Sequence, residues 1–169
     1  FIDRKRELHS QPLMSLVLSL FDICMKNYSY ESIFTYLKTG LANIEDVNDI
    51  DMLENYVLRW GITGKTWLQN WELDDINLEK INILREQTIN PIIEFKDSFG
   101  SKKTVKEIII SLYNFLISIG AYENIQNKIS KLKEINELIT IEIANQYTQV
   151  WNILIKIFDE MVDTIGDEF

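Results

Sequence analysis

Residues 53–67, LENYVLRWGITGKTW, decide how the rest of the chain is interpreted. Leu53, Val57 and Trp60 repeat at helical spacing, and Gly61 follows where a left-handed C-terminal cap is expected. The stretch then ends in a Gly-Lys-Thr triplet beside a tryptophan. It therefore predicts the end of an amphipathic helix followed by an ordered loop, and it raises the question of a phosphate site.

The triplet Gly64-Lys65-Thr66 matches only the last three positions of a P-loop. The complete motif, G-x-x-x-x-G-K-[ST], follows a buried strand, so that backbone N–H groups and the lysine converge on phosphate oxygens. Its first glycine would fall at position 59, which is Arg59, and the preceding pattern is helical. A glycine-ended helix with an ordered loop is therefore favoured over nucleotide binding.

Composition indicates one packed domain within residues 1–169. The chain is 46% hydrophobic and 11% aromatic, which is sufficient for a sizeable core. Its formal net charge of -9 argues against broad attraction to phosphate backbones. The single cysteine, Cys24, lies on a predicted apolar helix face, and with no signal-like N-terminus it indicates a cytoplasmic protein. No apolar run is long enough for a membrane span, and the first residue, Phe1, suggests a piece of a longer polypeptide.

Hydrophobic periodicity predicts an all-α fold, an irregular bundle of about seven helices with a long C-terminal helix. We expect a connecting segment at 1–11, three helices within 12–60, a loop at 61–77 and four helices within 78–165. Two capping signals are visible, Ser29 before the second helix and Thr104 with Glu107 before the fifth. The helical phase continues through Pro91, so one kinked helix is expected there, ended by Gly100.

The last helix has two apolar rows. Ala144, Tyr147, Trp151, Leu154, Phe158, Met161 and Ile165 form the first row, and Ile143, Val150 and Ile157 form the second. A helix that is apolar on two sides is expected to lie between neighbouring helices. This pattern predicts that the last helix is the spine of the domain.

Candidate contact residues for DNA or a partner are few. The basic run Arg4, Lys5 and Arg6 has the charge for a phosphate backbone, although three successive charges are more often a solvated connection. Lys65 and Trp67 are further candidates. Tryptophans in this region, Trp67 among them, either stack on bases or fix the loop to the core, and the small number of nearby cations favours the second interpretation.

Acidic residues cluster between positions 44 and 54, but the cluster lacks the central glycine of an EF-hand. Negative charge near a helix N-terminus is explained by the helix dipole. His9 has no cysteine or carboxylate partners at ligand spacing, so no metal site is predicted. No hydrolase, zinc or two-metal nuclease motif occurs, and we expect the isolated chain not to be an enzyme.

Five stretches carry a family resemblance. The sequence resembles the B subunit of the bacterial ATP-dependent helicase/deoxyribonuclease AddAB, and the resemblance extends over nearly the whole chain. The stretches are FIDRKRELHSQPL (1–13), YSYESIFTYLKTGL (28–41), LENYVLRWGITGKTW (53–67), TVKEIIISLYNFL (104–116) and QVWNILIKIFDEMVDTIGDE (149–168).

The resemblance implies a helical subdomain of the 2B type found in superfamily 1 helicases, with an accessory role in processing DNA double-strand breaks for recombinational repair. It implies an A subunit as partner and DNA contact through the whole complex. For the full-length protein it implies ATP, Mg and an iron-sulfur cluster, but none of the residues that bind them falls in this chain. The alternative is a stand-alone helical protein-interaction module.

Overall fold

The computed structural model of this chain describes residues 11–98, 103–135 and 137–168. Within these ranges the backbone forms seven α-helices and no β-strand, so the all-α prediction is confirmed. A short 3-10 helix, Gly64–Leu68, lies within the predicted loop 61–77. The α-helices are α1 (Pro12–Met25), α2 (Tyr30–Lys38), α3 (Val47–Trp60), α4 (Leu78–Asp97), α5 (Val105–Ser118), α6 (Ala121–Ile135) and α7 (Leu138–Ile165).

Several helix ends follow capping signals that are visible in the sequence. The Ser29 hydroxyl accepts a hydrogen bond from the backbone N–H of Ser32 at 3.3 Å, and Thr104 and Glu107 form the reciprocal capping box. Gly61 ends α3 in the left-handed region at φ 62°, which glycine adopts without the steric cost of a Cβ. Local chemistry therefore sets where α2 and α5 begin and where α3 ends.

The α4 helix is continuous through Pro91, as predicted. The proline removes one backbone hydrogen bond, but apolar residues on both sides of it face the core in the same phase. Ile81 and Leu84 are buried before the proline, and Ile92 and Phe95 are buried after it. Packing therefore holds the two halves as one helix. The predicted end at Gly100 lies outside the described residues.

The helices pack as two groups that share one core. In the first group α1 packs on α2 and α3 on α4, and in the second α7 packs on α5 and α6. Contacts between α4 and α5 join the groups, with the rings of Phe95 and Phe115 5.3 Å apart between centroids. The core therefore runs from α1 to α6 without a break at the join. Fully buried side chains include Leu16, Leu20, Ile23, Ile33, Leu37, Leu53, Ile92, Leu116 and Ile125.

The position of α7 corrects the prediction that this helix is the spine of the domain. Among the described helices its main neighbours are α5 and α6, and it makes no comparable contact with α1 to α4. In its second apolar row Val150 is buried, but Ile143 and Ile157 are each 37% exposed. The second row is therefore only partly covered, because α7 packs mainly on α5 and α6 and not on α1 to α4.

The described helices differ from membrane spans in length and composition. No single helix among them is both long and apolar enough to cross a bilayer. Only α5 and α6 taken together meet the criteria, and they are bent by 51° relative to each other.

Candidate interaction surfaces

The segment after α3 is fixed to the core by its tryptophans. Trp67 is 0% exposed and Trp71 is 4% exposed. Their rings meet edge to face with centroids 5.0 Å apart, and Trp71 stacks on Tyr56 of α3 at 5.2 Å. The Trp71 indole N–H also donates to the carbonyl of Thr66 at 2.9 Å. Because its indole lies in the core, Trp67 is removed from the predicted set of surface contacts, and the loop-fixing interpretation of this residue is the correct one.

Two polar residues of α4 complete this attachment, and the sequence analysis missed both. The Asn82 side chain accepts from the backbone N–H of Trp71 and donates to its carbonyl, both at 2.9 Å. The buried guanidinium of Arg85 donates to the carbonyl of Trp67 at 3.1 Å and to Asn70 Oδ1 at 2.6 Å. Desolvation lowers the pKa of Arg85, and the carboxylate of Glu86 partly offsets this. The i, i+3 spacing of Asn82 and Arg85 on a helix was the one available sequence signal.

The Gly-Lys-Thr triplet lies in this fixed segment. Gly64 begins the 3-10 helix in the left-handed region at φ 63°. The carbonyl of Thr66 is already bonded to Trp71, and the side chain of Lys65 is exposed to solvent. The preceding element is α3 rather than a strand. The geometry is therefore that of a capped helix followed by a packed turn.

The fold brings Lys65 toward two other lysines, which we call the lysine cluster: Lys26, Lys65 and Lys96. They surround the turn between α1 and α2, where Asn27 and Tyr28 have positive φ values of 52° and 58°. Lys26 precedes this turn, and Lys96 Nζ lies 4.7 Å from the centroid of the Tyr28 ring. A Cβ built on Gly64 would lie 3.1 Å from Asn27 Nδ2, so the start of the 3-10 helix also contacts the turn.

The lysine cluster is a local feature on a chain of net charge -9. Lys26 Nζ is 2.8 Å from Asp22 Oδ2 in an exposed ion pair, and such pairs are weak enough for the lysine to exchange partners. Phosphate groups are the anions that clustered lysines bind.

Of the other predicted contacts, Arg4, Lys5 and Arg6 lie outside the described residues.

A second feature is a groove of about 530 Å³ between α2 and α3. At its edge Glu54 accepts hydrogen bonds from the Tyr30 hydroxyl at 2.6 Å and from Lys38 Nζ at 2.7 Å. Burial raises the pKa of Glu54, but these two hydrogen bonds and the charge of Lys38 bring the pKa below its ordinary value. The groove therefore holds an ionised carboxylate whose partners come from this chain.

Glu54→Gln is expected to make the stability of the protein less dependent on pH below about pH 5. A carboxylate whose pKa falls on folding stabilises the folded state above its unfolded pKa, and this contribution is lost as pH falls through the folded pKa. Between about pH 5 and pH 3 the free energy of unfolding should therefore decrease more in the wild type than in Glu54→Gln. Urea unfolding at several pH values measures this. Exposed Glu31 of the same groove provides the control, Glu31→Gln, and parallel pH curves for wild type and Glu54→Gln would contradict the assignment.

Two side chains of α6 bind the end of α2 and connect the helix groups. The Asn124 amide donates to the carbonyls of Leu41 and Ala42, at 3.4 and 3.1 Å. Lys128 Nζ donates to the carbonyl of Thr39 at 3.4 Å. Burial, with a smaller effect of Lys131, lowers the pKa of Lys128. A cation at the C-terminal end of a helix is favoured by the helix dipole, so these contacts stabilise the join.

Several acidic residues near α3 have structural partners. Asp46 caps α3 by accepting from the backbone N–H of Asn48 at 2.9 Å. Asp49 pairs with Lys80 of α4, and Asp75 lies 3.6 Å from Arg59. Within the described ranges no group of three or more histidine, cysteine or carboxylate side chains is placed to hold a metal ion.

Taken together, fold and surface define an all-α protein that presents a lysine cluster, an acidic groove and an outward apolar face on α7. Its sequence is 39% identical to the B subunit of the ATP-dependent helicase/deoxyribonuclease of Acetivibrio thermocellus, 42% to that of Clostridium novyi and 39% to that of a Thermoanaerobacter species. Each match covers 99% of this chain. The chain is therefore similar, along nearly its whole length, to one segment of proteins with this name, in agreement with the resemblance.

The chain spans only 15–16% of the length of these curated relatives. No protein-family model matches it.

Proposed function

We propose that this chain is a noncatalytic accessory domain of a B subunit that acts, with an A subunit, in an ATP-dependent helicase/deoxyribonuclease. The domain is a helical body of the 2B type that supports the helicase-like core and packs on neighbouring parts of the enzyme. The enzyme processes double-strand breaks for recombinational repair in the cytoplasm. The main support for this proposal is that 99% of this chain matches one segment of relatives named as B subunits of such enzymes.

The arrangement of side chains supports an accessory role. The polar residues with the most extensive hydrogen bonding, Arg85, Asn82 and Asn124, bind backbone groups of the chain itself. They hold the surface rigid, which suits a domain that acts by its shape. ATP, Mg and the iron-sulfur cluster belong, in this proposal, to other parts of the full-length protein.

The lysine cluster is the proposed place of DNA contact. With about three lysines involved, affinity for duplex DNA should fall with salt with a logarithmic slope of about -2.7, or about 40-fold between 50 and 200 mM. Lys65→Ala should reduce this slope by about 1. Fluorescence anisotropy with a short labelled duplex measures both values. Lys156→Ala, which removes a lysine of α7 that lies 3.6 Å from Glu160, is the matched control and should leave the slope unchanged.

Two results would contradict this assignment. One is tight binding of DNA at physiological salt, and the other is an unchanged salt slope for Lys65→Ala. The same variant separates DNA contact from nucleotide binding. In the complete two-subunit enzyme Lys65→Ala should leave ATP hydrolysis unchanged, and ATP binding by this chain in calorimetry that disappears with Lys65→Ala would favour a phosphate site.

The second candidate is a stand-alone helical interaction module. It is favoured by the outward apolar face of α7, which such a module would use to bind another protein. The length of the gene decides between the two: a reading frame several times longer, with a P-loop upstream and cysteines downstream, supports the accessory domain.

A further inference from the structure

Along α7 runs a row of apolar side chains that the described helices cover only partly. We call it the α7 stripe: Ile139, Ile143, Ile153, Ile157, Met161 and Ile165, each between 37% and 69% exposed. The buried Val150 fills the interval between Ile143 and Ile153. On ordinary protein surfaces, exposed apolar residues are scattered singly. A contiguous apolar surface therefore usually marks a binding site.

Helical geometry makes the α7 stripe one surface. Steps of 3, 4 and 7 residues keep successive side chains on the same side of a helix. From Ile139 to Ile165 the stripe is about 39 Å long. The C-terminal end of α7 is also fixed, since the backbone N–H groups of Val105 and Lys106 donate to the carbonyls of Glu168 and Gly166 at 2.9 and 3.0 Å. The stripe is therefore a long and rigid surface.

Charge indicates what can cover this surface. Between Leu138 and Ile165, α7 carries Glu142, Asp159, Glu160 and Asp163 but only one cation, Lys156. A second copy of the chain would bring the same acidic helix to the interface, and like charges across an interface oppose association. A complementary partner has an apolar centre bordered by lysine or arginine.

Chain length indicates where such a partner is found. The relatives are about six times as long as this chain, which covers 15–16% of them. A surface on the same polypeptide meets α7 at a high effective concentration, which favours contact over that with a separate molecule. We propose, building on the proposed function, that the α7 stripe binds a basic-bordered apolar surface elsewhere in the same B-subunit polypeptide.

Photo-crosslinking in the complete two-subunit enzyme tests this proposal. The substitution Ile157→p-benzoylphenylalanine places the reactive group in the middle of the stripe. Ile83 of α4, an exposed isoleucine away from α7, provides the matched control, Ile83→p-benzoylphenylalanine. Crosslinked peptides are identified by mass spectrometry.

The expected result is an intramolecular crosslink from position 157, several-fold stronger than from position 83, to a peptide of the same polypeptide rich in lysine or arginine. A crosslink to the A subunit, to a second copy or to no protein would overturn the proposal. None of these outcomes depends on catalysis, so failure here is distinguishable from failure of the accessory role, which is tested by ATP hydrolysis and DNA binding.

A second variant checks that the face is used. Ile157→Glu is expected to lower the melting temperature of the complete B-subunit polypeptide more than that of this chain, because the side chain is 37% exposed in this chain and would be covered in the complete polypeptide. An equal melting temperature for the wild-type and Ile157→Glu forms of the complete polypeptide would also overturn the proposal.

Discussion

Trp67→Ala is expected to lower the free energy of unfolding by about 3–5 kcal/mol, the range for truncating a large buried aromatic residue. Trp67 is completely buried, and its ring contacts those of Phe34 and Trp71, with centroids 6.2 and 5.0 Å away. Truncation leaves a cavity that the rigid 3-10 helix cannot close. Since a domain of this kind is stable by about 5–15 kcal/mol, the loss is a large fraction of the total.

Urea unfolding followed by far-UV circular dichroism measures the effect, because a fluorescence signal would itself change when the tryptophan is removed. Lys65→Ala, in the same 3-10 helix but exposed, is the matched control and should change the free energy of unfolding by no more than about 0.5 kcal/mol. Trp67→Phe keeps part of the ring and should give an intermediate loss. A loss below about 1 kcal/mol for Trp67→Ala would mean that the indole does not lie in the core.

Arg85→Met is expected to lower the free energy of unfolding by about 1–3 kcal/mol, the cost of leaving one buried acceptor without a partner. Arg85 is 3% exposed, and its guanidinium donates to the carbonyl of Trp67, to Asn70 Oδ1 and to Glu86 Oε1. Methionine fills much of the same space but donates no hydrogen bond. Glu86 is half exposed and Asn70 is exposed, so both can regain water, and the loss comes mainly from the buried carbonyl of Trp67.

Arg59→Met is the matched control for this prediction. The side chain of Arg59 is 64% exposed and pairs with Asp75 at 3.6 Å, so its replacement should cost less than about 1 kcal/mol. Arg85→Lys should recover only part of the loss, because an ammonium group cannot reproduce the planar guanidinium fork. Equal losses for Arg85→Met and Arg59→Met would show that the buried network does not hold the segment after α3.

These two predictions concern the same structural feature. The segment between α3 and α4 contains no α-helix. It is fixed to the core by its own tryptophans, Trp67 and Trp71, and by hydrogen bonds from Asn82 and Arg85 of α4. The lysine cluster depends on this attachment, because Gly64, the neighbour of Lys65, lies against Asn27 of the turn. Loss of Trp67 or Arg85 should therefore also weaken DNA binding through the cluster.

The sequence by itself determined the helices. The apolar spacing and the caps of the helices act within a few residues, so neighbouring residues determine where each helix begins and ends. Examples of these caps are Ser29, the pair Thr104 and Glu107, and Gly61. The resemblance to the relatives was also visible in the sequence, because it depends on the order of five stretches along the chain. Burial of Trp67 was the favoured interpretation of a pattern that left a second one open.

Only the tertiary structure decided which surfaces are covered. Arg85 bonds to residues 15 and 18 positions away, and Asn124 bonds to carbonyls 82 and 83 positions away, distances over which periodicity carries no information. For α7 the sequence correctly predicted two apolar rows and packing against neighbouring helices, but not that those neighbours, α5 and α6, leave the second row partly exposed. An apolar row indicates that one side of a helix favours burial. Which element covers that side depends on how the other helices pack. Here α7 packs on α5 and α6, and the α7 stripe stays partly exposed.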